Sequence, residues 1–237
     1  MSVAARTIDV VGWRSSAVAA GRMRRVRAEN DGETLAIGDH FLCRAVSLDA
    51  FDCEGIAQVT CIGNRWLSGC ARLSSFNCEG LSRLLSVGDY WLSSCIVLPV
   101  LDCAGLGNLT TVGRAWLHGC TSLTELNFGG LTQLTRIGDH FLSCCSHIKK
   151  VDCSGMSRLT TIGDCWLGEC PSLTSVSCAG LVQLISVGDQ CLQGCVNLTA
   201  LDCMELTRLV SVGDHFLSEC TKLTAIRCPE LASFVDA

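Results

Sequence analysis

The chain has 237 residues, 49% of them hydrophobic, and a formal net charge of −5. This length suits one or two ordinary domains. No run of 18 apolar residues occurs, so composition excludes an ordinary transmembrane helix and we expect no membrane span.

Residues 1–32 form a basic N-terminal segment, with six arginines before residue 29 against one acid, Asp9. Such a segment can fold back on the acidic body, bind an anionic partner, act as a targeting segment or stay disordered. Its short apolar stretch precedes the basic cluster, which is untypical of a secretory signal, and its arginine-rich composition weakly resembles a mitochondrial transit peptide. Residues 8–13 match residues 101–106, which suggests a decayed first repeat.

Residues 33–237 form a repeat domain with a period of 25 residues. An Ile-Gly or Val-Gly pair recurs eight times without a slip, at 37, 62, 87, 112, 137, 162, 187 and 212. A fixed period in this range is typical of a solenoid, in which each unit buries its apolar face only against its neighbours. We therefore predict one elongated domain of eight coils.

A short parallel strand is predicted in every repeat, as in the segment 198–203. Leu198, Leu201 and Cys203 are apolar at spacings of three and then two, and the polar Asp202 lies between the last two. This alternation indicates a strand with Leu201 and Cys203 directed inward. In six repeats a glycine follows two residues after the cysteine, which predicts a turn there.

A short helical segment is predicted on the other side of each coil. The glycine of each Ile-Gly or Val-Gly pair is followed by Asp in six of the eight repeats. Asp before an apolar pair is a helix N-cap signal, because its carboxylate accepts hydrogen bonds from free N–H groups. A helix or 3₁₀ turn of this length depends on packing for its stability.

The recurring columns resemble the BspA-like leucine-rich repeats, also called the Treponema pallidum type, which read roughly IGxxAFxxCxxLxxIxLPxxLxxI. One copy that carries the resemblance is Ile137-Gly138, Phe141, Cys145, Ile148, Val151, Cys153 and Met156. The unit of 25 residues and the cysteine on the strand depart from that pattern and resemble protist expansions of this repeat type. The resemblance implies an α/β leucine-rich-repeat solenoid that acts in protein recognition or surface adhesion.

Fourteen of the 19 cysteines fall in two columns of the repeat. The first column holds Cys70, Cys95, Cys120, Cys145, Cys170, Cys195 and Cys220, and the second holds Cys53, Cys78, Cys103, Cys153, Cys178, Cys203 and Cys228. We interpret both as small buried hydrophobes, because Phe128 replaces cysteine in the second. We expect these thiols to be free, and free thiols indicate a reducing compartment. We therefore expect an intracellular, cytoplasmic location, with the cell surface as the alternative.

No catalytic or metal centre is expected, and no cofactor. Cys165 and Cys191 lie in adjacent columns of neighbouring repeats, but no CxxC pair or nearby histidine supports a metal there. The pair of His147 and Cys144 is the one local candidate for a nucleophile and its base, and a surface imidazole is the alternative. His40, His140 and His215 share a column but lie roughly 15 to 20 Å apart at the strand spacing.

The outward residue of each strand forms a row that is our candidate binding site. The row consists of Asp52, Asn77, Asp102, Asn127, Asp152, Ser177, Asp202 and Arg227. Its carboxylates recur on every second repeat, about 10 Å apart, near the Debye length at moderate salt. An acidic row predicts a basic protein or peptide partner and disfavours nucleic acid on this face, while simple solvation of the strands is the alternative.

The last repeat differs from the others in carrying Arg227, Pro229 and Glu230. Charge and proline on a terminal strand hinder edge-to-edge pairing. Without a polar capping helix, self-association through the C-terminal coil stays possible, as does a longer array of which this chain is a fragment.

The sequence thus predicts a non-enzymatic scaffold for protein–protein interaction. A cell-surface adhesion protein is the alternative, in which the sequons at Asn108 and Asn197 would become relevant after secretion. An enzyme is a third class without a supporting group of residues.

Overall fold

The computed structural model describes residues 36–228 in full, together with the backbone of Thr7–Ile8 and Arg25–Arg27. The chain winds into a parallel β-solenoid with two short strands in every coil, and the predicted period of 25 residues and eight coils are confirmed. We number the coils by residue: 36–60, 61–85, 86–110, 111–135, 136–160, 161–185, 186–210 and 211–228.

The first ladder consists of two-residue strands that end on an Ile or Val, and a glycine follows all of them except Thr7–Ile8. Its strands are Thr7–Ile8, Ala36–Ile37, Cys61–Ile62, Ser86–Val87, Thr111–Val112, Arg136–Ile137, Thr161–Ile162, Ser186–Val187 and Ser211–Val212. They pair in this order as one continuous parallel sheet of nine strands.

The second ladder consists of three-residue strands, and from Ala50–Asp52 to Ala200–Asp202 the central side chain of each is buried or half-buried. Its strands are Arg25–Arg27, Ala50–Asp52, Ser75–Asn77, Val100–Asp102, Glu125–Asn127, Lys150–Asp152, Ser175–Ser177, Ala200–Asp202 and Ala225–Arg227. They form three parallel sheets of three, two and four strands. The two interruptions lie between coils 2 and 3 and between coils 4 and 5.

Two strands of the N-terminal segment extend the ladders by one coil. Thr7 is the strand partner of Ala36, and Arg25 is the partner of Ala50. The match of residues 8–13 to residues 101–106 was wrong in register, because Ile8 pairs with Ile37 in the first ladder whereas Leu101 lies in the second. The other residues of 1–32 lie outside the described part, so the expected roles of that segment stay predictions.

The segment after each Gly-Asp pair is a series of turns and not the predicted helix. Every second residue there has a left-handed backbone; in coil 3, φ is 62° at Tyr90, 51° at Leu92 and 58° at Ser94. The N–H of Tyr90 donates to a carbonyl of the next coil and that of Leu92 to the preceding coil, at 2.7 and 3.1 Å. Bonds between coils replace the bonds within a helix, and they offset the cost of left-handed residues, about 1 kcal/mol each.

In the described residues, helical structure is limited to two 3₁₀ turns, Glu54–Ile56 and Glu79–Leu81. Both follow a strand of the second ladder, at the position where the sequence predicted a turn. Their N-cap residues, Cys53 and Cys78, make no side-chain capping hydrogen bond. The helical part of the prediction was therefore misplaced within the coil.

The Asp that follows each glycine bonds to the next coil instead of capping a helix. Asp139 Oδ1 accepts the N–H of Asp164 at 3.1 Å, and Asp164 Oδ1 accepts that of Asp189 at 2.9 Å. The glycine makes room for this bond, because a Cβ on Gly163 would lie 2.4 Å from Asp139 Oδ1. The recurring Gly-Asp pair is thus one unit of packing between coils.

The core is one continuous column of apolar side chains along the solenoid. Four aromatic rings stack at its centre: the centroid distances are 5.9 Å for Trp66 to Trp91, 5.2 Å for Trp91 to Trp116 and 4.7 Å for Trp116 to Phe141. Parallel rings at these distances follow from the same aromatic column in successive coils. Among the described residues there is no helix long and apolar enough to cross a bilayer.

Candidate binding face

The structure places all eight predicted site residues in one row along the second ladder. Strand pairing sets Asp52 beside Asn77, Asp102 beside Asn127, and Asp152, Ser177, Asp202 and Arg227 in succession. Most of the row is exposed, while Asp52, Asn77 and Ser177 are half-buried. The row is therefore a real surface feature, interrupted at the two breaks of the ladder.

Each Asp of the row holds the turn that follows its strand. Asp102 Oδ1 accepts the N–H of Ala104 at 2.9 Å, and Asp152 Oδ1 accepts that of Ser154 at 3.0 Å. Asp52 and Asp202 make the same contact with the residue two positions on. An Asx turn needs one oxygen acceptor and no charge, so the turn alone does not explain why these residues are Asp.

The amides between the carboxylates link neighbouring coils. Asn77 Nδ2 donates to Asp52 Oδ1 at 3.4 Å, and Asn127 Nδ2 donates to Asp102 Oδ1 at 3.0 Å. An amide is able to donate where a second carboxylate would repel. The alternation of Asp and Asn thus stabilises the row and keeps its charges two coils apart.

Further charges lie beside the row. Glu54, Glu79 and Glu125 are exposed and extend the acidic character over coils 1–4, whereas the exposed Lys149 and Lys150 begin coil 5's part of the face. By strand register, the row is also continued at its N-terminal end by Arg27, the partner of Asp52.

Apolar side chains also reach the surface of this face. Val100 is exposed by 43% and Met204 by 55%. Ile96 and Val97, exposed by 43% and 40%, were missed. The repeat alignment held the signal that reveals them, since the same columns of coil 4 hold Thr121 and Ser122.

The first cysteine column is a series of hydrogen-bond donors. Cys95 Sγ donates to Leu67 O at 3.2 Å and Cys120 Sγ to Leu92 O at 3.1 Å. The same bond recurs for Cys70, Cys145, Cys170, Cys195 and Cys220. The cysteine therefore satisfies a carbonyl of the left-handed Leu one coil earlier, a role that the interpretation as a plain hydrophobe missed.

All 19 cysteines lie in the described residues and none is in a disulfide. Burial raises the pKa of the Cys70 and Cys195 thiols to about 12, and that of Cys120 well above its usual value. Loss of water around a thiolate disfavours the charged form. These thiols are therefore protonated and poor nucleophiles at neutral pH.

Cys165, Cys191 and His147 each bond to a different partner. Cys165 Sγ donates to Gln190 Oε1 at 3.4 Å, and Cys191 Sγ donates to Gly163 O at 3.3 Å. His147 Nδ1 lies within hydrogen-bond distance of Thr121 O and of Ser146 Oγ. In the described part of the chain, no three His, Cys, Asp or Glu side chains are grouped so that they could hold a metal ion.

A hydrogen-bonded Ser–His pair lies in the turns of coils 4 and 5, and the sequence did not predict it. His118 Nδ1 is 2.7 Å from Ser143 Oγ, which donates to His140 O at 3.1 Å. Burial and the nearby His140 lower the pKa of His118. Ser143 is only 3% exposed and its proton is already engaged, so this pair tethers two turns.

The comparisons with known proteins agree with this architecture. The model of the BspA-type leucine-rich repeat region matches residues 36–174 and 155–236 in six copies. None of the curated proteins matches the chain.

Three solved structures are similar to this chain, and the first of them shows the likeness in fold. A leucine-rich repeat protein of T. pallidum is 19% identical with a TM-score of 0.52, over 90% of this chain and 82% of that one. A leucine-rich repeat protein of Bacteroides ovatus is 17% identical with a TM-score of 0.38, over 87% and 67%. The functional domain of InlJ from Listeria monocytogenes, which includes a cysteine ladder, is 16% identical with a TM-score of 0.29, over 91% and 60%.

Proposed function

The chain belongs to the BspA-type leucine-rich repeat family, and on this premise we propose that it is a non-enzymatic scaffold that binds a basic protein segment along its second ladder. The observation that carries the proposal is the outward row. Its turns need only an oxygen acceptor, which Asn127 and Asn77 supply as well as Asp does. Carboxylates at four positions therefore add negative charge that the turns do not require, and such a surface attracts cationic partners.

The test is an affinity pull-down from host extract with mass spectrometry. The variant Asp52→Asn/Asp102→Asn/Asp152→Asn/Asp202→Asn removes four charges and keeps each Oδ1 acceptor. The matched control is Asp139→Asn/Asp164→Asn/Asp189→Asn/Asp214→Asn, which removes four charges from the Gly-Asp turns and keeps the Oδ1 atoms of Asp139, Asp164 and Asp189 as acceptors between coils.

Basic partners lost with the first variant and retained with the control support binding along the second ladder. An unchanged partner list with a folded first variant would refute it. Loss of partners with both variants would point to net charge alone. The same acidic row is the reason to propose that nucleic acid does not bind this face.

We propose an intracellular, reducing location, because the first cysteine column works through S–H donors that oxidation would remove. The asparagine side chains of both sequons donate hydrogen bonds to the preceding coil. Asn108 Nδ2 donates to Ser82 O and Asn197 Nδ2 to Pro171 O, both at 2.7 Å. Alkylation of free thiols in intact cells, followed by mass spectrometry, tests the location. Oxidised columns or glycans at either sequon would instead favour the adhesion protein.

Self-association through the last coil is proposed from its exposure. Phe216, Leu217 and Leu223 are half-buried, whereas Leu117 and Leu123 in the equivalent columns of coil 4 are fully buried. Residues 229–237, which include Pro229 and Glu230, lie outside the described part. Sedimentation velocity over a concentration series tests the proposal, and a monomer at every concentration would refute it.

A further inference from the structure

One segment of the binding face is apolar where the neighbouring coils are mostly polar. Ile96, Val97, Pro99 and Val100, which we call the apolar island, are all exposed within five residues. The same columns hold Ala71, Arg72, Ser74 and Ser75 in coil 2, and Thr121, Ser122, Thr124 and Glu125 in coil 4. Single exposed apolar residues are ordinary, but a contiguous patch rimmed by polar residues marks an interaction surface.

The fold of coil 3 does not need these apolar side chains. Leu98 and Leu101, which alternate with the island, are 0% exposed and provide the contacts with the core. Coils 2 and 4 build the same turn and strand with alanine, arginine, serine, threonine and glutamate at the island's positions. The island is therefore additional to what the coil requires for folding.

Acidic groups lie beside the island on coils 3 and 4. Glu125 is the strand partner of Val100, and Asp102 is on the same strand as Val100, two residues on. On the other side, the exposed Arg72 of coil 2 is paired with Asp49 at 3.0 Å. The carboxylate of the row on that side is Asp52, two coils earlier, at about 10 Å by the strand spacing.

Pro99 also separates this part of the face from coil 2. At the same column, Ser74 N donates to Asp49 O and Thr124 N donates to Pro99 O, both at 2.9 Å. Proline has no N–H and cannot donate the equivalent bond to coil 2. The interruption of the second ladder falls here, so coils 3 and 4 carry the island and Glu125 on a separate two-stranded sheet.

We infer that the island receives one aliphatic or aromatic side chain of the partner, and that basic residues two or three positions to either side of that side chain bind the acidic groups around it. The inference rests on the proposed function and names the kind of segment that fits. An extended segment advances about 3.3 Å per residue, so two or three residues span the roughly 5 to 10 Å from coil 3 to Glu125 and to Asp52. Charge complementarity selects the basic residues of the partner, and burial of apolar area selects the apolar residue that lies between them.

The experiment selects randomised nine-residue peptides, displayed on phage, against the immobilised full chain. The island variant is Ile96→Thr/Val97→Ser/Val100→Ser, in which each new residue is one that an adjacent coil carries in the same column. The matched control is Leu85→Thr/Ile185→Thr/Val210→Thr, which removes exposed apolar residues from a column where Thr60 and Thr110 stand in other coils. The fourth target is the fourfold Asp→Asn variant of the outward row.

On the wild-type chain we expect peptides in which an apolar residue lies between lysines or arginines. On the island variant the preference for the apolar residue falls about tenfold, as expected when one side chain loses its burial, while the preference for basic residues stays. On the Asp→Asn variant the basic preference is lost, and the control behaves as the wild type.

Basic peptides without an apolar preference, or an apolar preference that survives in the island variant, would overturn the inference and leave the proposed function standing. A loss of the apolar preference in the control as well would also overturn it. Selection of neither basic nor apolar residues by the wild-type chain would overturn both proposals.

Discussion

At the scale of single residues, the glycine of a Gly-Asp pair packs directly against the equivalent turn one coil earlier, and a Cβ there would clash. A Cβ on Gly163 would lie 2.4 Å from Asp139 Oδ1 and 2.6 Å from Asp139 N. Because one neighbour is backbone, rotation of a side chain does not relieve the contact. The pair is therefore fixed by contact between coils and not by the geometry of one turn.

Gly163→Ala is expected to destabilise the chain by about 1 to 3 kcal/mol, the usual cost of forcing an extra methyl into a packed site. Urea unfolding monitored by circular dichroism measures the change. Gly107→Ala is the control, because the nearest atom to its Cβ would be 4.0 Å away, and it should stay within about 0.5 kcal/mol of the wild type. Equal stability of the two variants would contradict the role assigned to Gly163.

The first cysteine column gives a second prediction at this scale. Cys120→Val leaves Leu92 O without its donor and should be less stable than Cys120→Ser by about 1 kcal/mol, since an unsatisfied buried carbonyl is costly. The second column supplies the control. Cys103 is fully buried and its thiol donates no hydrogen bond in the described structure. Cys103→Val should therefore be more stable than Cys103→Ser. Urea unfolding of the four variants would disprove the donor role if valine were preferred at both positions.

At the scale of elements, the stacked thiols make the ladder sensitive to alkali. Burial raises the pKa of Cys70, Cys78 and Cys195 to about 12, whereas an unfolded thiol has a pKa of about 8.5. Above that value the unfolded chain has lost protons that the folded chain keeps, so stability falls as pH rises. Below about pH 8 both states are protonated, and these thiols contribute no pH dependence.

Urea midpoints measured between pH 7.5 and pH 11 should therefore fall steeply above about pH 9. Cys120→Ser removes one thiol whose pKa burial raises. The unfolding free energy of this variant is expected to fall less steeply with pH, by about 1.4 kcal/mol per pH unit. A midpoint independent of pH over this range would contradict the burial of protonated thiols.

The coil is also the scale at which sequence reasoning succeeds and fails. Columns such as Leu201 and Cys203 predicted the strand and its inward face, because alternation within one strand is a local property. The turn at Leu92 was not predictable in this way. Leucine does not favour a positive φ, and that conformation is stabilised by hydrogen bonds to neighbouring coils. The break at Pro99 depends on pairing between coils in the same way, although the missing N–H could have been read from the sequence.

At the scale of the whole molecule, each coil is stabilised by its two neighbours, and the last described coil is less buried than the central ones. Leu117 in coil 4 is 0% exposed, while its equivalent Leu217 is half-buried. In a linear stack, stability is the sum of terms within coils and between neighbours.

Native-state hydrogen exchange should consequently be uneven along the chain. The amide of Leu217, which donates to Cys191 O at 3.1 Å, is expected to exchange about tenfold faster than that of Leu117, which donates to Trp91 O at the same distance. Exchange measured by mass spectrometry on peptides from coils 4 and 8 checks this. Equal rates would indicate that the solenoid opens in one cooperative step.

The interruptions of the second ladder have a mechanical consequence. The first ladder pairs continuously over nine strands, while the second ladder has two breaks at which neighbouring strands are not paired. Because strand pairing is lost at these breaks, we expect bending of the stack to concentrate there, with coils 3 and 4 moving together. Asp52 and Asp102 lie on either side of one break. Bending there would change the distance between their carboxylates, and with it the length of the partner segment that contacts both.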